Sequence, residues 1–386
     1  MLGAVLLLIP VAFIASTLTT RLVIGWATRR AVFDSAPMAG QAKEIARRVP
    51  NLGGVGVFFG IAAPLVGLIV IAATRLGSII SNAWPTIGDH LPGARDQLPL
   101  AITLLAGAGV LHVLGVIDDR RPIGPLLKLG IMAAVAAGVV ILTDTRLLTL
   151  LDTRVGGPWL SIVLTTLWML AIINALNFID NMDGLCAGVA TVAGACCLAA
   201  AISSEQWFVS AGLALVVGSC LGFLVWNRPP ARVFMGDGGS LVVGYFLAFL
   251  TTRTTYFGPT PTGEPTSGAW YGVFMPLLVL ATPLYDLLTV TIIRLRQGRS
   301  PMVGDLQHLS HRLVKRGLAK PQAVASIVGL TGVTAMGGLV LGYLPPWGAI
   351  VIAAQTLLLL ILLAGLERAT SPAGARRDSL EVGHDE

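Results

Sequence analysis

Eleven stretches of this chain are apolar for about the length a helix needs to cross a lipid bilayer, roughly 20 residues. They run near 2–26, 52–73, 98–117, 126–143, 158–177, 184–203, 208–226, 239–253, 270–293, 323–345 and 348–366. Lipid offers no partner to a backbone N–H or C=O, so such runs fold as helices that satisfy their own hydrogen bonds. Composition agrees: of 386 residues, 55% are hydrophobic and 12% charged, with a mean hydropathy of +0.80, whereas a soluble chain carries about a quarter charged residues. The expected fold is all-α, a polytopic membrane bundle of ten or eleven helices over residues 1–366. A disordered tail, ERATSPAGARRDSLEVGHDE, is expected from 367 to 386.

Lys and Arg set the orientation. With the N-terminus outside and the C-terminus inside, the inner loops are 29–50, 118–125, 178–183, 227–238 and 294–322. With the tail and Lys128 they hold 20 of the 26 basic residues, and the outer loops hold five. Arg21, near the inner end of the first helix, completes the count. Positive loops at an anionic membrane face account for the net charge of +6, so no nucleic-acid partner is needed. The first segment lacks a basic stretch ahead of it and reads as a retained helix rather than a cleaved signal. Cys186, Cys196, Cys197 and Cys220 lie in or beside apolar runs without metal-ligand spacing and read as small core residues. The outer loops at 74–97 and 254–269 are rich in Pro and Gly, which break long helices.

The acidic residues sort by side. Outside they are scattered singly. Inside, five sit at helix ends: Asp118 and Asp119 in GVIDDRR, Asp180 and Asp183 in NFIDNMDG, and Asp237 in FMGDGGS. Clustered carboxylates repel, and a cation offsets the cost. Hard oxygen ligands suit Mg²⁺ or Mn²⁺, and Mg²⁺ is commonly held by one or two carboxylates plus substrate phosphates. Two features nearby suit phosphate. GDGGS, with Gly236, Gly238 and Ser240, brings backbone N–H groups to a helix start, and the loop at 299–317 carries His308, His311, Arg312, Lys315 and Arg316. Each feature also has a plain reading: Asp183 as a helix-start charge, Asp118–Asp119 as a solvated turn, the histidines as loop polarity. Asp286 differs, because a carboxylate inside an apolar segment is expensive and marks either function or a structural polar contact. The conjunction on one side points to a nucleoside diphosphate or pyrophosphate substrate.

These motifs resemble, in order, those of the polyprenyl-phosphate N-acetylhexosamine-1-phosphate transferases. RRVPNLGG (47–54), GVIDDRR (115–121), NALNFIDNMDGLCAG (174–188), NRPPARVFMGDGGS (227–240), PLYDLLTV (283–290) and HLSHRLVKRG (308–317) carry the likeness across nearly the whole membrane domain. The chain departs at Gly238, where Ala or Thr is common, and at Ser310, where the family often has His. The resemblance implies a multi-pass enzyme of the bacterial plasma membrane with its active site facing the cytoplasm. It would join a UDP-N-acetylhexosamine, UDP-N-acetylglucosamine by the short His motif, to polyprenyl phosphate and release UMP. It further implies Mg²⁺ held by Asp237 with Asp118 and Asp183, and Asp180 sharing in metal or nucleotide binding. Asp118 or Asp119 would orient or deprotonate the lipid phosphate, and Asn174, Asn177, His308, His311 and Arg312 would line the substrate pocket. Dimers are known in the family, so a homodimer is also admitted. The alternatives are the peptidoglycan branch, which uses a UDP-MurNAc-pentapeptide, and a cation-coupled transporter. A transporter would place its aspartates near the midplane on broken helices.

Overall fold

The apolar runs fold as helices, and no strand occurs among the described residues of the computed structural model, which are 1–33, 49–83, 88, 90–254, 274–302 and 306–369. The principal helices are α1 (Leu2–Arg29), α2 (Gly53–Ala73), α3 (Leu98–Arg120), α4 (Pro125–Thr143), α5 (Trp159–Ile179) and α6 (Leu185–Ser203). They continue with α7 (Trp207–Asn227), α8 (Asp237–Arg253), α9 (Ala281–Arg296), α10 (Leu309–Lys315), α11 (Lys320–Val340) and α12 (Pro346–Ala369). Nine helices among the described residues are long and apolar enough to cross a membrane, which makes the protein a polytopic, all-α membrane protein.

The two other expected segments differ for physical reasons. α8 has 17 residues, about 26 Å at 1.5 Å per residue, shorter than the roughly 30 Å hydrocarbon core. It is buried all round from Gly238 to Thr252 and packs against α2, α3, α5 and α7. It is the centre of the bundle. The segment expected at 270–293 begins outside the described residues, and its described part is broken into Met275–Val279 and α9. Pro283, in the first turn of α9, has no N–H to give the Val279 carbonyl. α12 in turn runs to Ala369, past the boundary expected at 366. The outer loop at 254–269 and the tail from 370 lie outside the described residues, save for Thr254.

Small residues let the helices close. Helix association in lipid relies on packing and interhelical hydrogen bonds, and small residues let backbones approach. On α7, Gly218 and Gly222 form a G-x-x-x-G face, and a Cβ on either would strike the backbone carbonyl of Ile9 or Phe13 on α1. Bonds stitch the seam: Thr17 Oγ1 donates to Gly222 O at 3.1 Å, Trp226 Nε1 to Thr17 O at 3.1 Å, and Ser219 Oγ to Val57 O of α2 at 2.8 Å. Outward faces carry exposed Leu7, Leu22, Leu126, Leu142, Trp347 and Ile350, an apolar surface suited to lipid. All four cysteines are free, as expected of packing residues.

Candidate functional site

The carboxylates of three connecting segments meet at one end of the bundle, held there by backbone. Residues 50–54 pair with 234–235: Phe234 N–H donates to Pro50 O (2.9 Å), Gly53 N–H to Phe234 O (2.9 Å) and Gly54 N–H to Met235 O (2.8 Å). Gly236 then turns the chain into α8 at φ +67, a left-handed value that favours glycine. The first turn of α8 lies so close to its neighbours that a Cβ on Gly54 would land on the Gly239 backbone, and one on Gly115 on the backbone of Asp237 and Gly238. From α3, His112 Nδ1 meets Gly238 O at 2.7 Å, with its ring stacked on Phe58 of α2.

Lys128, one turn into α4, is the centre of the cluster. Its ammonium donates to Asp118 Oδ2 at 2.8 Å and also to Asp237 Oδ2. Ile123 N–H fixes Asp118 through Oδ1 (2.6 Å), and Asn177 Nδ2 fixes Asp237 through Oδ1 (2.8 Å) while also reaching Ser240 Oγ (3.0 Å). Asp119 faces the start of α8, where its oxygens accept the N–H groups of Asp237 (3.1 Å) and Gly238 (3.3 Å) together with Asn51 Nδ2 (3.1 Å). Asp180 lies in the turn after α5. Its carboxyl is held well above the usual range, first by burial and then by the carboxylates of Asp237 and Asp119.

Several expected site residues have other work. The GDGGS amides read as a phosphate cradle are occupied by Asp119, a helix cap supplied in place of a ligand. Asp183 accepts the Ala231 N–H at 2.9 Å and so ties the 228–236 segment to the turn before α6. Asn174 donates to Leu170 O within its own helix. His308 lies buried, with Nδ1 2.8 Å from Asp286 Oδ2 and Nε2 3.5 Å from Arg294 Nη2. His311 is buried beside it on α10. Arg312 reaches Glu367 (3.1 Å), Thr289 Oγ1 (3.0 Å) and Gln307 O (2.5 Å). The α10 loop still meets the acidic end, because Ser310 Oγ donates to Asn181 Oδ1. Sequence reasoning missed Lys128, Asn51 and His112. A lone lysine in the apolar run PLLKLG was the available signal, since intramembrane charges are placed with a partner.

The donor set fits a hard divalent cation. Among the described residues no group of three or more His, Cys, Asp or Glu side chains is arranged around one metal position. Asp118 and Asp237 nevertheless share one cation, the Lys128 ammonium. One or two carboxylates together with substrate phosphates are what Mg²⁺ commonly uses.

An all-helical membrane bundle that gathers carboxylates around a lysine at one end defines an integral-membrane protein with an acidic site at its helix ends. Residues 101–255, which include every one of these aspartates, match the family described as glycosyl transferase family 4. The decaprenyl-phosphate N-acetylglucosaminephosphotransferase of Mycobacterium tuberculosis (strain ATCC 25618 / H37Rv) is 30% identical over 342 residues, 82% of this chain and 80% of that one. The probable undecaprenyl-phosphate N-acetylglucosaminyl 1-phosphate transferase of Bacillus subtilis (strain 168) is 29% identical over 332 residues, 85% and 83% of the two chains. The undecaprenyl-phosphate alpha-N-acetylglucosaminyl 1-phosphate transferase of Escherichia coli (strain K12) is 30% identical over 273 residues, 66% and 70%. The chain belongs to glycosyl transferase family 4.

Proposed function

We propose that this protein transfers N-acetylglucosamine 1-phosphate from UDP-N-acetylglucosamine to a polyprenyl phosphate, giving polyprenyl-pyrophosphoryl-N-acetylglucosamine and UMP. The observation that carries this reading is the meeting of Asp118 and Asp237 on one half-buried cation at the helix ends, in a chain whose relatives are named for this transfer. A phosphate oxygen of the lipid attacks the β-phosphorus, the bond to the α-phosphate breaks, and UMP leaves. One phosphoanhydride is made and one is lost, so the reaction runs close to balance. The lipid phosphate is already nucleophilic near neutral pH, which leaves positioning and charge neutralisation as the protein's task.

Asp237 and Asp118 are the residues we assign to Mg²⁺, which would neutralise phosphate charge when bound. Lys128 is the protein's own cation at that position, free to turn to a phosphate oxygen. Asp119 keeps the first turn of α8, and with it Asp237, in place. Asn177 orients the Asp237 carboxylate, and Asp180 and Asp183 flank the same cluster in the turn between α5 and α6. We assign the nucleotide-sugar phosphates to the α10 loop, with His311 and Arg312 as the contacting groups. His308, whose two ring nitrogens already have protein partners, holds the loop. The excess of basic residues in the loops at this end supports a cytoplasmic site. There a soluble nucleotide sugar meets a phosphate whose prenyl tail stays in lipid.

Purified protein in detergent, given polyprenyl phosphate and Mg²⁺, tests this by UMP release from UDP-GlcNAc, UDP-GalNAc and UDP-MurNAc-pentapeptide in parallel. Release from UDP-GlcNAc, abolished by Asp237→Asn in a protein that still melts cooperatively, is the expected result. Folded protein that releases UMP from none of them refutes the transferase reading.

A further inference from the structure

We infer that Asp286, in α9 and outside the carboxylate cluster, is a positioning residue that sets the α10 loop for the nucleotide-sugar phosphates. This inference rests on the function proposed above. Asp286 is 1% exposed, and a carboxylate so placed persists only with its oxygens satisfied. Both are. Oδ1 accepts the Leu309 N–H at 2.5 Å and Oδ2 faces His308 Nδ1 at 2.8 Å. Arg312 stands 4.0 Å away. Asp286 therefore grips the point where the loop becomes α10.

From this anchor, contacts run to the acidic end. The His308 ring meets Phe178 of α5 edge-on, with centroids 5.6 Å apart, and Arg294 lies over the Phe178 ring at 5.3 Å. Phe178 follows Asn177, which holds Asp237. Two residues beyond Leu309 N–H is His311, and between them Ser310 bonds Asn181 in the turn that carries Asp180 and Asp183. One face of the loop is thus fixed by Asp286, the other by the acidic turn. A shift of about 1 Å in such a loop can cost on the order of a hundredfold in rate or binding.

The geometry demands a carboxylate in particular. Leu309 offers only an N–H, and with Arg294 donating to Nε2, His308 must carry its proton on Nδ1. Two donors converge on residue 286, and an amide supplies one acceptor and one NH₂. Asp286→Asn must oppose two N–H groups or force the imidazole into the tautomer whose Nε2–H faces Arg294.

The test measures KM for UDP-GlcNAc and for polyprenyl phosphate separately, in Asp286→Asn, His308→Ala and the double variant. Asp286→Asn should raise KM for UDP-GlcNAc at least about tenfold and leave that for the lipid within about twofold. In the double variant the combined effect should be smaller than the sum of the two, because Asp286 acts in part through His308. Unchanged KM for UDP-GlcNAc, equal losses for both substrates, or additive effects overturn the inference. If Asp286→Asn does not fold, Ser310→Ala decides: it removes only the bond to Asn181 and should raise the same KM several-fold, and no change refutes the docking. His311→Ala separates this from the underlying assignment. If it leaves KM for UDP-GlcNAc unchanged, the loop does not bind the nucleotide sugar. If it raises that KM while Asp286→Asn does not, only the role of Asp286 falls.

Discussion

Replacing Lys128 by Met probes whether the ammonium stands where a divalent cation belongs. The change keeps the aliphatic stem and removes one positive charge from between Asp118 and Asp237. The three side chains are 17%, 15% and 24% exposed, so the pair is partly shielded from solvent and its loss is not a surface effect. Leaving a buried charge without its partner costs roughly 3–5 kcal/mol. Here two carboxylates lose the same partner and face each other, so the upper half of that range applies. At about 2 °C per kcal/mol for a chain of this size, Tm in EDTA should fall by roughly 8–10 °C. Mg²⁺ should restore most of it, because a ligand at a hundred times its Kd adds about 2.7 kcal/mol. In the wild type Mg²⁺ must compete with the ammonium, so its Tm shift should be smaller than in the variant. Thermal unfolding in detergent, followed by intrinsic fluorescence across a Mg²⁺ titration, measures both. An unchanged Tm in EDTA, or a Mg²⁺ shift no larger than in the wild type, would refute the shared position.

Gly115→Ala should lower Tm and abolish UMP release together, since its Cβ would fall on the backbone of Asp237 and Gly238, an overpacking worth about 1–3 kcal/mol or more. Gly109→Ala on the same helix, with nothing within 4 Å of its Cβ, should leave both unchanged; equal effects at the two sites would show that α3 merely dislikes alanine. The pH dependence has a definite sign. Asp180 binds its proton more tightly in the folded protein than in the unfolded chain, so without metal the folded state loses stability as pH rises from the ordinary carboxylate value through the raised one. A Mg²⁺ held by Asp118 and Asp237 would favour the ionised form of Asp180, so its Tm shift should grow with pH over the same window, and a flat shift would show that Asp180 does not sense the metal.

Hydropathy made the helices legible, because a run that is apolar for twenty residues has few other folds open to it. It does not distinguish a helix facing lipid from one facing protein, which is why α8 reads as one more span when it is the buried axis. The gathering of Asp118, Asp119, Asp180 and Asp237 was also legible, since topology alone puts those loops at one end. Their individual partners were not. Asp119 and GDGGS each have the composition of a phosphate site, yet they satisfy one another. Lys128 reads as a topology charge because its position, one turn inside an apolar helix, shows its meaning only once its ammonium reaches from α4 to the end of α3 and the start of α8. Glu367 sits in a stretch whose composition reads as tail, but its carboxylate takes Tyr285 OH at 3.0 Å and Arg312 at 3.1 Å, which anchors the end of α12 to the α10 loop.

The aspartates divide their labour in a way that bears on how the site works before substrate arrives. Asp119 and Asp183 give oxygens to backbone N–H groups of residues 231, 237 and 238, and such bonds to a carboxylate are among the stronger ones available. They fix the chain on either side of Asp237 without a metal. Asp118, whose other oxygen accepts the Ile123 N–H, and Asp237 instead share a side-chain ammonium, a partner that an incoming cation would displace without moving backbone. The rigid pair therefore carries the cost of assembling like charges during folding, and the exchangeable pair is left poised for a ligand that brings its own positive charge. A site built this way needs little reorganisation at the moment of transfer, which is the property a reaction governed by positioning and electrostatics requires.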